Sequence, residues 1–389
     1  QLLMIGGMEK YFQIARCFRD EDLRADRQPE FTQIDIEMSF GDEDTIFAVV
    51  EDLMQNIFKE TKNYTLEDHF VRVPWAECMR RFGTDKPDMR FGNEIQDITA
   101  VFENTEFQVF KNTIKNGGII NCVKFENAAD KYSRKGLDQL QDFVKHGFKA
   151  KALAYLKMEN DVLTGSIAKV LSEEEKAKLV EKLGLVNNDL VLVIADSARI
   201  VQASLGALRV RLGHELNLIP SEATYKFLWV TDFPMFEYSE EDERWVAAHH
   251  PFTAPKEEDV DKLFTDPGHV SSRAYDLVLN GYELLSGSIR IHSQELQAKV
   301  FEAIGLSLED AKARFGFFLD SFRYGTPPHG GVGIGLERLI MVLAGTDNIR
   351  DVVAFPTTNS SFDLMSEAPN VVDKKQLDIL GIEISKQEK

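Results

Sequence analysis

Three short segments of the sequence combine residue types that suit binding of a phosphate-bearing ligand. The first is the charged stretch Asp20–Glu30, which connects two segments of alternating polarity, Lys10–Phe18 and Phe31–Phe40. A simple hairpin needs only two to five connecting residues, and long charged loops on rigid strands often carry binding groups. One face of the second strand is almost wholly polar, so it is either a solvated sheet surface or the floor of a site. The length and charge of the loop favour the site.

The second segment is an acidic hairpin. Asn280-Gly281 is typical of a two-residue turn, and this turn would pair Val278 with Glu283 and put Asp276 on the same face as Glu283. Two adjacent carboxylates repel each other unless a cation lies near them. Mg²⁺ brought by nucleotide phosphates would meet that demand, while two solvated acids on an outer face explain the spacing equally well.

Arg290 follows this hairpin, and strict alternation places it on the face opposite to Glu283. If both side chains line one site, Ser286-Gly287 must contain a bulge or kink, which is a common device beside active sites. A bulge in the hairpin therefore decides whether Arg290 can share a face with the acidic pair.

The third segment is a strand with alternating glycines that runs into a helix. Gly331, Gly333 and Gly335 leave one strand face bare, which usually marks close approach by a ligand or another backbone. Arg338 lies in the first turn of a helix predicted over Leu336–Ala344, where a cation is unfavourable, so we expect an anionic or aromatic partner. The alternative is a packing motif with a surface arginine. No P-loop or dinucleotide-binding glycine motif is present, which favours an antiparallel-sheet nucleotide fold.

The wider pattern predicts an α+β protein in three blocks. Residues 1–90 and 221–389 hold alternating strands, glycine-rich turns and helices such as Thr45–Thr61. Residues 91–220 are richer in Lys and Glu, and we predict that they form a separate α+β unit. Its predicted elements are the strands Ile119–Phe125 and Leu190–Ala195 and the helices Gly136–His146 and Ser197–Leu216.

The composition narrows the class of protein. The 389 residues are 43% hydrophobic, and no apolar run of about 18 residues predicts a membrane span. The net charge of −19 opposes a protein that coats nucleic acid, although local basic positions can still hold RNA. Cys17, Cys78 and Cys122 are far apart, and we interpret them as reduced thiols of a cytoplasmic protein.

Together these segments resemble the class II aminoacyl-tRNA synthetases. Phe18–Glu21 with Arg27–Phe31 resembles motif 2 of that family, and Gly333–Leu339 resembles motif 3. Further segments resemble the bacterial aspartyl subfamily, namely Gln28–Asp35, His249–Thr253 and Tyr324–Gly331. The resemblance covers nearly the whole chain. It implies a class II antiparallel sheet flanked by helices, with residues 91–220 as an inserted GAD domain.

The resemblance also implies a role for each matching residue. The residues that would contact ATP are Arg19, Asp20, Glu21, Gln28, Phe31, Glu283, Gly335, Leu336, Glu337 and Arg338. Those that would bind L-aspartate are Arg19, Asp35, His249 and Arg290, and those that would carry Mg²⁺ are Asp276 and Glu283. Arg19 and Arg338 would be catalytic, and Leu23–Arg27 would meet the tRNA acceptor end.

The implied reaction is ATP-dependent activation of L-aspartate and its transfer to the 3′ end of tRNA(Asp), with tRNA(Asn) left open as a second acceptor. The implied enzyme is a cytoplasmic homodimer. The family's motif 1 and anticodon-binding domain have no match here, so we interpret the sequence as a fragment whose activity in isolation is open.

Three alternatives remain. An asparaginyl- or lysyl-type synthetase is opposed by Arg290 and by the insertion, and a related asparagine synthetase would lack the insertion. A non-catalytic tRNA-binding paralogue is opposed by the presence of Arg19, Glu283 and Arg338 together.

Overall fold

The structure is a computed structural model that describes residues 1–21 and 24–385. Asp22 and Leu23, in the charged loop, lie outside the described residues. The strands are β1 Lys10–Phe18, β2 Glu30–Ser39, β3 Val71–Pro74, β4 Ile95–Asp97, β5 Ile119–Phe125, β6 Ala154–Glu159, β7 Val162–Gly165, β8 Leu190–Asp196, β9 Phe227–Thr231, β10 Phe236–Ser239, β11 Arg244–Ala247, β12 Ala274–Leu279, β13 Tyr282–Ile289 and β14 His329–Gly335. The helices are α1 Leu2–Ile5, α2 Glu43–Lys62, α3 Trp75–Phe82, α4 Gln108–Lys115, α5 Arg134–Phe148, α6 Glu173–Leu183, α7 Ala198–Glu215, α8 Gln294–Ala303, α9 Leu308–Ser321, α10 Leu336–Ala344 and α11 Lys374–Leu380.

The chain divides into two compact units. Unit 1 comprises residues 1–11 and 37–332, and unit 2 comprises residues 12–36 and 333–389. Strands β1, β2 and β14 have residues in both units. Within unit 1 the strand order is β14-β13-β12-β9-β3, and within unit 2 it is β1-β2-β14.

A second sheet in unit 1 has the order β4-β5-β8-β6-β7 and is antiparallel throughout. Its central strand β8 is buried on both faces, because Leu190, Leu192 and Ile194 enter one apolar core and Val191 and Val193 enter another. Helices α5 and α7 pack on the first core, and α4 and α6 pack on the second. These elements lie within residues 91–220, whose status as a separate inserted domain stays a prediction.

Local sequence signals account for the ends of the helices. Helix α2 begins after Asp42, whose side chain accepts a hydrogen bond from the Thr45 amide, and it ends at Asn63 in the left-handed conformation. Helix α10 has the predicted bounds and ends at Gly345, also left-handed.

The α+β class, with antiparallel strand pairs flanked by helices, is confirmed. One pair departs from the predicted pattern, because β3 runs parallel to β9. Strand β3 is an edge strand separated from β9 by a long stretch of chain, so no short hairpin forces an antiparallel pairing. The three cysteines are free thiols, as predicted. No helix of the described residues has the length and apolar character needed to cross a membrane.

Candidate functional site

Arg19 stands where β1 gives way to the charged loop of unit 2. Its backbone amide donates to the carbonyl of Pro29 at 2.8 Å, which fixes the base of the loop. Its guanidinium carbon lies 5.3 Å from the centre of the Phe31 ring, a cation–π distance. Because the Arg19 side chain is 61% exposed, it can reach an anionic ligand. Asp20, the next residue, is exposed as well.

Glu21 and Gln28, both predicted to hold ATP, have partners inside unit 2. The Glu21 carboxylate pairs with Arg27. The buried Gln28 accepts a hydrogen bond at Oε1 from the Thr357 amide at 2.9 Å. These contacts tie both ends of the charged loop in place. The sequence pattern gave no signal for Thr357, which lies 329 residues from Gln28 along the chain.

Helix α10 begins with two charged side chains, Glu337 and Arg338, which contact strand β2 and the charged loop before it. The buried Glu337 carboxylate accepts the Thr32 amide with both oxygens, at 2.9 and 2.8 Å. Arg338 donates from Nη2 to the carbonyl of Asp26 at 3.2 Å and lies 3.7 Å from the Asp26 carboxylate. Asp26 is therefore one anionic partner of Arg338 within the protein. Gly335 and Leu336 mark the start of the helix.

The bare glycine face of β14 accommodates side chains of β2. A Cβ atom at Gly333 would lie 3.1 Å from Gln33 Nε2 and 3.3 Å from Asp35 Oδ1. Asp35 also accepts a hydrogen bond from Gln13 at 3.5 Å. At Gly333 the close approach expected from the glycine pattern is made by these polar groups, which belong to the polar face of β2.

The acidic hairpin of unit 1 has the predicted turn and an extra residue. Val278 pairs with Glu283, but Leu277 pairs with Leu285, so Leu284 is a β-bulge. The bulge shifts the alternation and puts Glu283 on the same face as Ser286, which pairs with Asp276.

The bulge was expected at Ser286-Gly287, and that position is wrong. The glycine at position 287 has a packing role instead, because a Cβ atom there would lie 2.2 Å from the carbonyl oxygen of Gly331. Gly287 therefore permits close packing of β13 against β14. With the bulge at Leu284, alternation along the rest of the strand carries the face of Glu283 on to Arg290.

Asp276 is a buried carboxylate beside another acid. Burial and the charge of Glu283 raise its pKa well above the usual range, and a hydrogen bond from Ser286 opposes that shift. Among the described residues, Asp276 Oδ1 has no hydrogen-bond donor. Two carboxylates of this kind fit a hard cation such as Mg²⁺, which takes few protein ligands and completes its shell with water and phosphate. No described cluster of three or more acidic, His or Cys side chains could hold a metal ion.

Arg290 is a largely buried cation of unit 1, with its side chain 20% exposed. Its Nη1 atom donates to the imidazole of His250, and its Nε atom lies 3.9 Å from Glu37 Oε1. Burial lowers the pKa of the guanidinium, while Glu37 opposes that shift. The Arg290 amide donates to the carbonyl of His329 at 2.9 Å, which fixes the backbone.

The histidine that contacts Arg290 is His250, the neighbour of His249, whose expected part in aspartate binding stays a prediction. Burial and the Arg290 charge lower the pKa of His250 to about 3, so the ring stays neutral and can accept the guanidinium hydrogen bond. His249 is exposed and packs edge-on against Phe233, with ring centres 5.0 Å apart. The sequence pattern gave no signal that His250 contacts Arg290.

Comparisons with known proteins agree on one family. The model of the class II tRNA synthetases (D, K and N) matches residues 1–359. The aspartate–tRNA ligase of Listeria monocytogenes is 52% identical over 100% of this chain, and that of Clostridium tetani is 51% identical over 99%. The aspartate–tRNA(Asp/Asn) ligase of Anoxybacillus flavithermus is 49% identical over 100%. The chain spans 65% of the length of each of these relatives.

Among solved structures, an aspartyl-tRNA synthetase from Entamoeba histolytica matches at 20% identity with a TM-score of 0.43. The match covers 92% of this chain and 49% of the other.

Proposed function

Because the chain belongs to the class II tRNA synthetases (D, K and N), we propose that it is the catalytic part of an aspartate–tRNA ligase. In the first step the α-carboxylate of L-aspartate attacks the α-phosphorus of ATP. The bond to the bridging oxygen breaks, and aspartyl-adenylate and pyrophosphate form. In the second step the 3′-terminal hydroxyl of tRNA(Asp) attacks the aspartyl carbonyl, and AMP leaves.

The buried Arg290 is the observation that carries this proposal. A bidentate pair between a guanidinium and a carboxylate is strong and geometrically specific. Asparagine offers a neutral amide and would leave the Arg290 charge poorly compensated. Arg290 accordingly binds the side-chain carboxylate of the substrate. His250 and Glu37 hold the guanidinium in place. Asp35 binds the substrate ammonium, and His249 contributes to the aspartate-binding loop.

The residues of unit 2 supply the ATP contacts in this proposal. Phosphoryl transfer needs positioning and charge neutralisation more than a protein nucleophile. Arg19 and Arg338 provide the positive charge, and Phe31 offers a ring face to adenine. Glu21 and Gln28 would contact the nucleotide while keeping their protein partners, Arg27 and Thr357. Glu337 acts at the nucleotide through the backbone of β2 that it holds.

The acidic pair of unit 1 has a proposed role as a magnesium ligand. Asp276 and Glu283 would hold Mg²⁺, which neutralises phosphate charge when bound. The two carboxylates would position the cation, and the bound cation would offset the repulsion between them.

The tRNA acceptor, the inserted domain, the cellular location and the oligomeric state of the protein also belong to this proposal. The name of the relative from Anoxybacillus flavithermus, aspartate–tRNA(Asp/Asn) ligase, favours tRNA(Asn) as a second acceptor. We place residues 91–220 as an inserted domain, and we assign the full-length protein to the cytoplasm as a homodimer.

The test is an exchange assay with the full-length protein. We expect incorporation of labelled pyrophosphate into ATP to depend on L-aspartate and Mg²⁺ and to be negligible with L-asparagine. Equal exchange with asparagine would contradict the role of Arg290. Charging of purified tRNA(Asp) and tRNA(Asn) in parallel then decides the acceptor range, and charging of neither would contradict the transfer step.

A further inference from the structure

A short segment after helix α10, residues 348–359, holds part of the charged loop within unit 2. The Ile349 amide donates to the carbonyl of Ala25 at 2.8 Å, and the Thr357 amide donates to Gln28 Oε1 at 2.9 Å. The described loop residues other than Gln28 are exposed or half-buried. Hydrogen bonds rather than apolar packing therefore offset the entropy that is lost when the loop is ordered.

The contact between Gln28 and Thr357 runs in both directions. Gln28 Oε1 accepts hydrogen bonds from the amide and from the hydroxyl of Thr357, at 2.9 and 3.2 Å. Gln28 Nε2 donates to the carbonyl of Thr357 at 3.4 Å. Gln28 is 5% exposed, and a buried amide that loses its partners carries a desolvation cost. The position of Thr357 therefore fixes the position of Gln28.

Arg350 is the residue that holds Thr357. Its Nε atom donates to the Thr357 carbonyl at 3.0 Å, and its Nη2 atom donates to the side-chain carbonyl of Asn359. Its backbone amide donates to Asn348 Oδ1 at 3.2 Å. A guanidinium places its donors in one rigid plane, and a hydrogen bond from a charged donor is roughly twice as strong as a neutral one. Arg350 thus holds Thr357 and Asn359 in one fixed geometry.

We propose that Arg350 is a positioning residue for the ATP-binding loop. It holds Thr357, and through Thr357 it holds Gln28 where nucleotide binding requires it, without touching ATP itself. The link to ATP rests on the proposed function, whereas the hold on residues 24–28 does not. Aspartate binding should be insensitive to Arg350, because Arg290, which binds the substrate side chain in the proposed function, belongs to unit 1.

Trypsin cleavage after Arg24 tests the hold on the loop without any assay of activity. Arg24 is exposed and lies in the held stretch. In the full-length protein, Arg350→Gln should speed this cleavage by about tenfold, because a hydrogen bond from a charged group is lost and cleavage follows the population of the released loop. Arg350→Lys keeps the charge but lacks the planar fork, so its rate should lie between the two. Arg314→Gln, at an exposed position of α9, is the matched control and should be cleaved like the parent.

Thermal unfolding shows whether Arg350→Gln is folded, and Thr357→Val is a milder second variant. This substitution removes the hydroxyl bond to Gln28 and keeps the backbone amide bond, so cleavage after Arg24 should be roughly threefold faster than in the parent. Parent-like cleavage in folded Arg350→Gln would overturn the proposal. If Arg350→Gln does not fold, parent-like cleavage in Thr357→Val would overturn it.

Steady-state exchange kinetics separate positioning from general damage. In Arg350→Gln the KM for ATP should rise by about tenfold, while the KM for L-aspartate should change by less than about twofold. Equal rises in both KM values, or a loss of kcat alone, would contradict the positioning role. A parent protein without aspartate-dependent exchange would contradict the proposed function, and the cleavage rates would still decide whether Arg350 holds the loop.

Discussion

Two buried regions of unit 1 are stabilised in different ways. The five-stranded sheet is enclosed by two apolar cores, and its central strand β8 is apolar from Leu190 to Ala195. In the β12–β13 hairpin, β12 is buried throughout and β13 is half-buried, and the hairpin carries Asp276 and leads to Arg290. Burying apolar groups stabilises a fold, whereas burying charges costs free energy unless they are well paired. In the proposed function the hairpin charges bind ligands, which would account for their retention despite the cost of burial.

The largest expected effect is loss of aspartate activation in Arg290→Leu. Truncating one partner of a hydrogen-bonded charge pair at a binding site costs about 2–5 kcal/mol, so we expect aspartate-dependent pyrophosphate exchange to fall by roughly 30-fold to a few thousandfold. Arg273→Leu is the matched control, because Arg273 pairs with Glu43 and touches neither His250 nor Glu37. Similar losses of exchange activity in Arg290→Leu and Arg273→Leu would contradict a specific role of Arg290 in binding aspartate.

The apolar region should show the opposite response. Leu192 is fully buried, and Leu192→Ala should lower the free energy of unfolding by about 2–5 kcal/mol through lost packing and a cavity. Exchange activity of the folded variant should stay close to that of the parent. Val186→Ala, at a 61% exposed site, should change stability by less than about 0.5 kcal/mol. Denaturant unfolding measures both, and a stable Leu192→Ala would contradict the assignment of this core.

Asp276 offers a sharper test, because its charge should reduce stability while serving function. Its pKa is raised in the folded state, so the folded protein loses stability as pH rises through that pKa. Asp276→Asn removes this loss and should be more stable at pH 8 without Mg²⁺, by about 1.4 kcal/mol for each unit of the pKa difference. The same variant should lose exchange activity.

Thermal unfolding of Asp276→Asn is compared with that of Asp138→Asn, which alters an exposed acid on α5. Only the first should stabilise the protein. A destabilised Asp276→Asn would show that the buried carboxylate makes a net favourable contribution, and the contrast with the apolar region would then disappear at this position.

A further expected effect concerns His250 and the pH dependence of stability. Its pKa is lowered from 6.5 to about 3 in the folded state, so its contribution to stability is present above pH 6.5 and is lost as pH falls toward 3. Relative to His250→Gln, the parent should lose up to about 1.4 kcal/mol per pH unit between pH 6 and 4. His214→Gln, at an exposed position of α7, should follow the parent. Parallel curves for the parent and His250→Gln would mean that burial and the Arg290 charge do not keep the ring neutral.

Much of the fold was predictable because it depends on local periodicity. The bounds of β1, β5 and α10 agree with the prediction, since alternating or helical apolar spacing and glycine caps are local signals. The Asn280-Gly281 turn was equally local. The roles of the site residues stay predictions.

The sequence by itself determined which side chains are present, where the strands and helices run and which acids share a face across the turn. Only the tertiary structure decided the contacts that depend on distant parts of the chain. Alternation is lost wherever a bulge occurs, so Leu284 set the face of Arg290. The contact of His250 with Arg290 and the pairing of Gln28 with Thr357 depend on segments brought together by folding. Sequence spacing carries no information about such distances, because they are fixed by packing rather than by the local backbone.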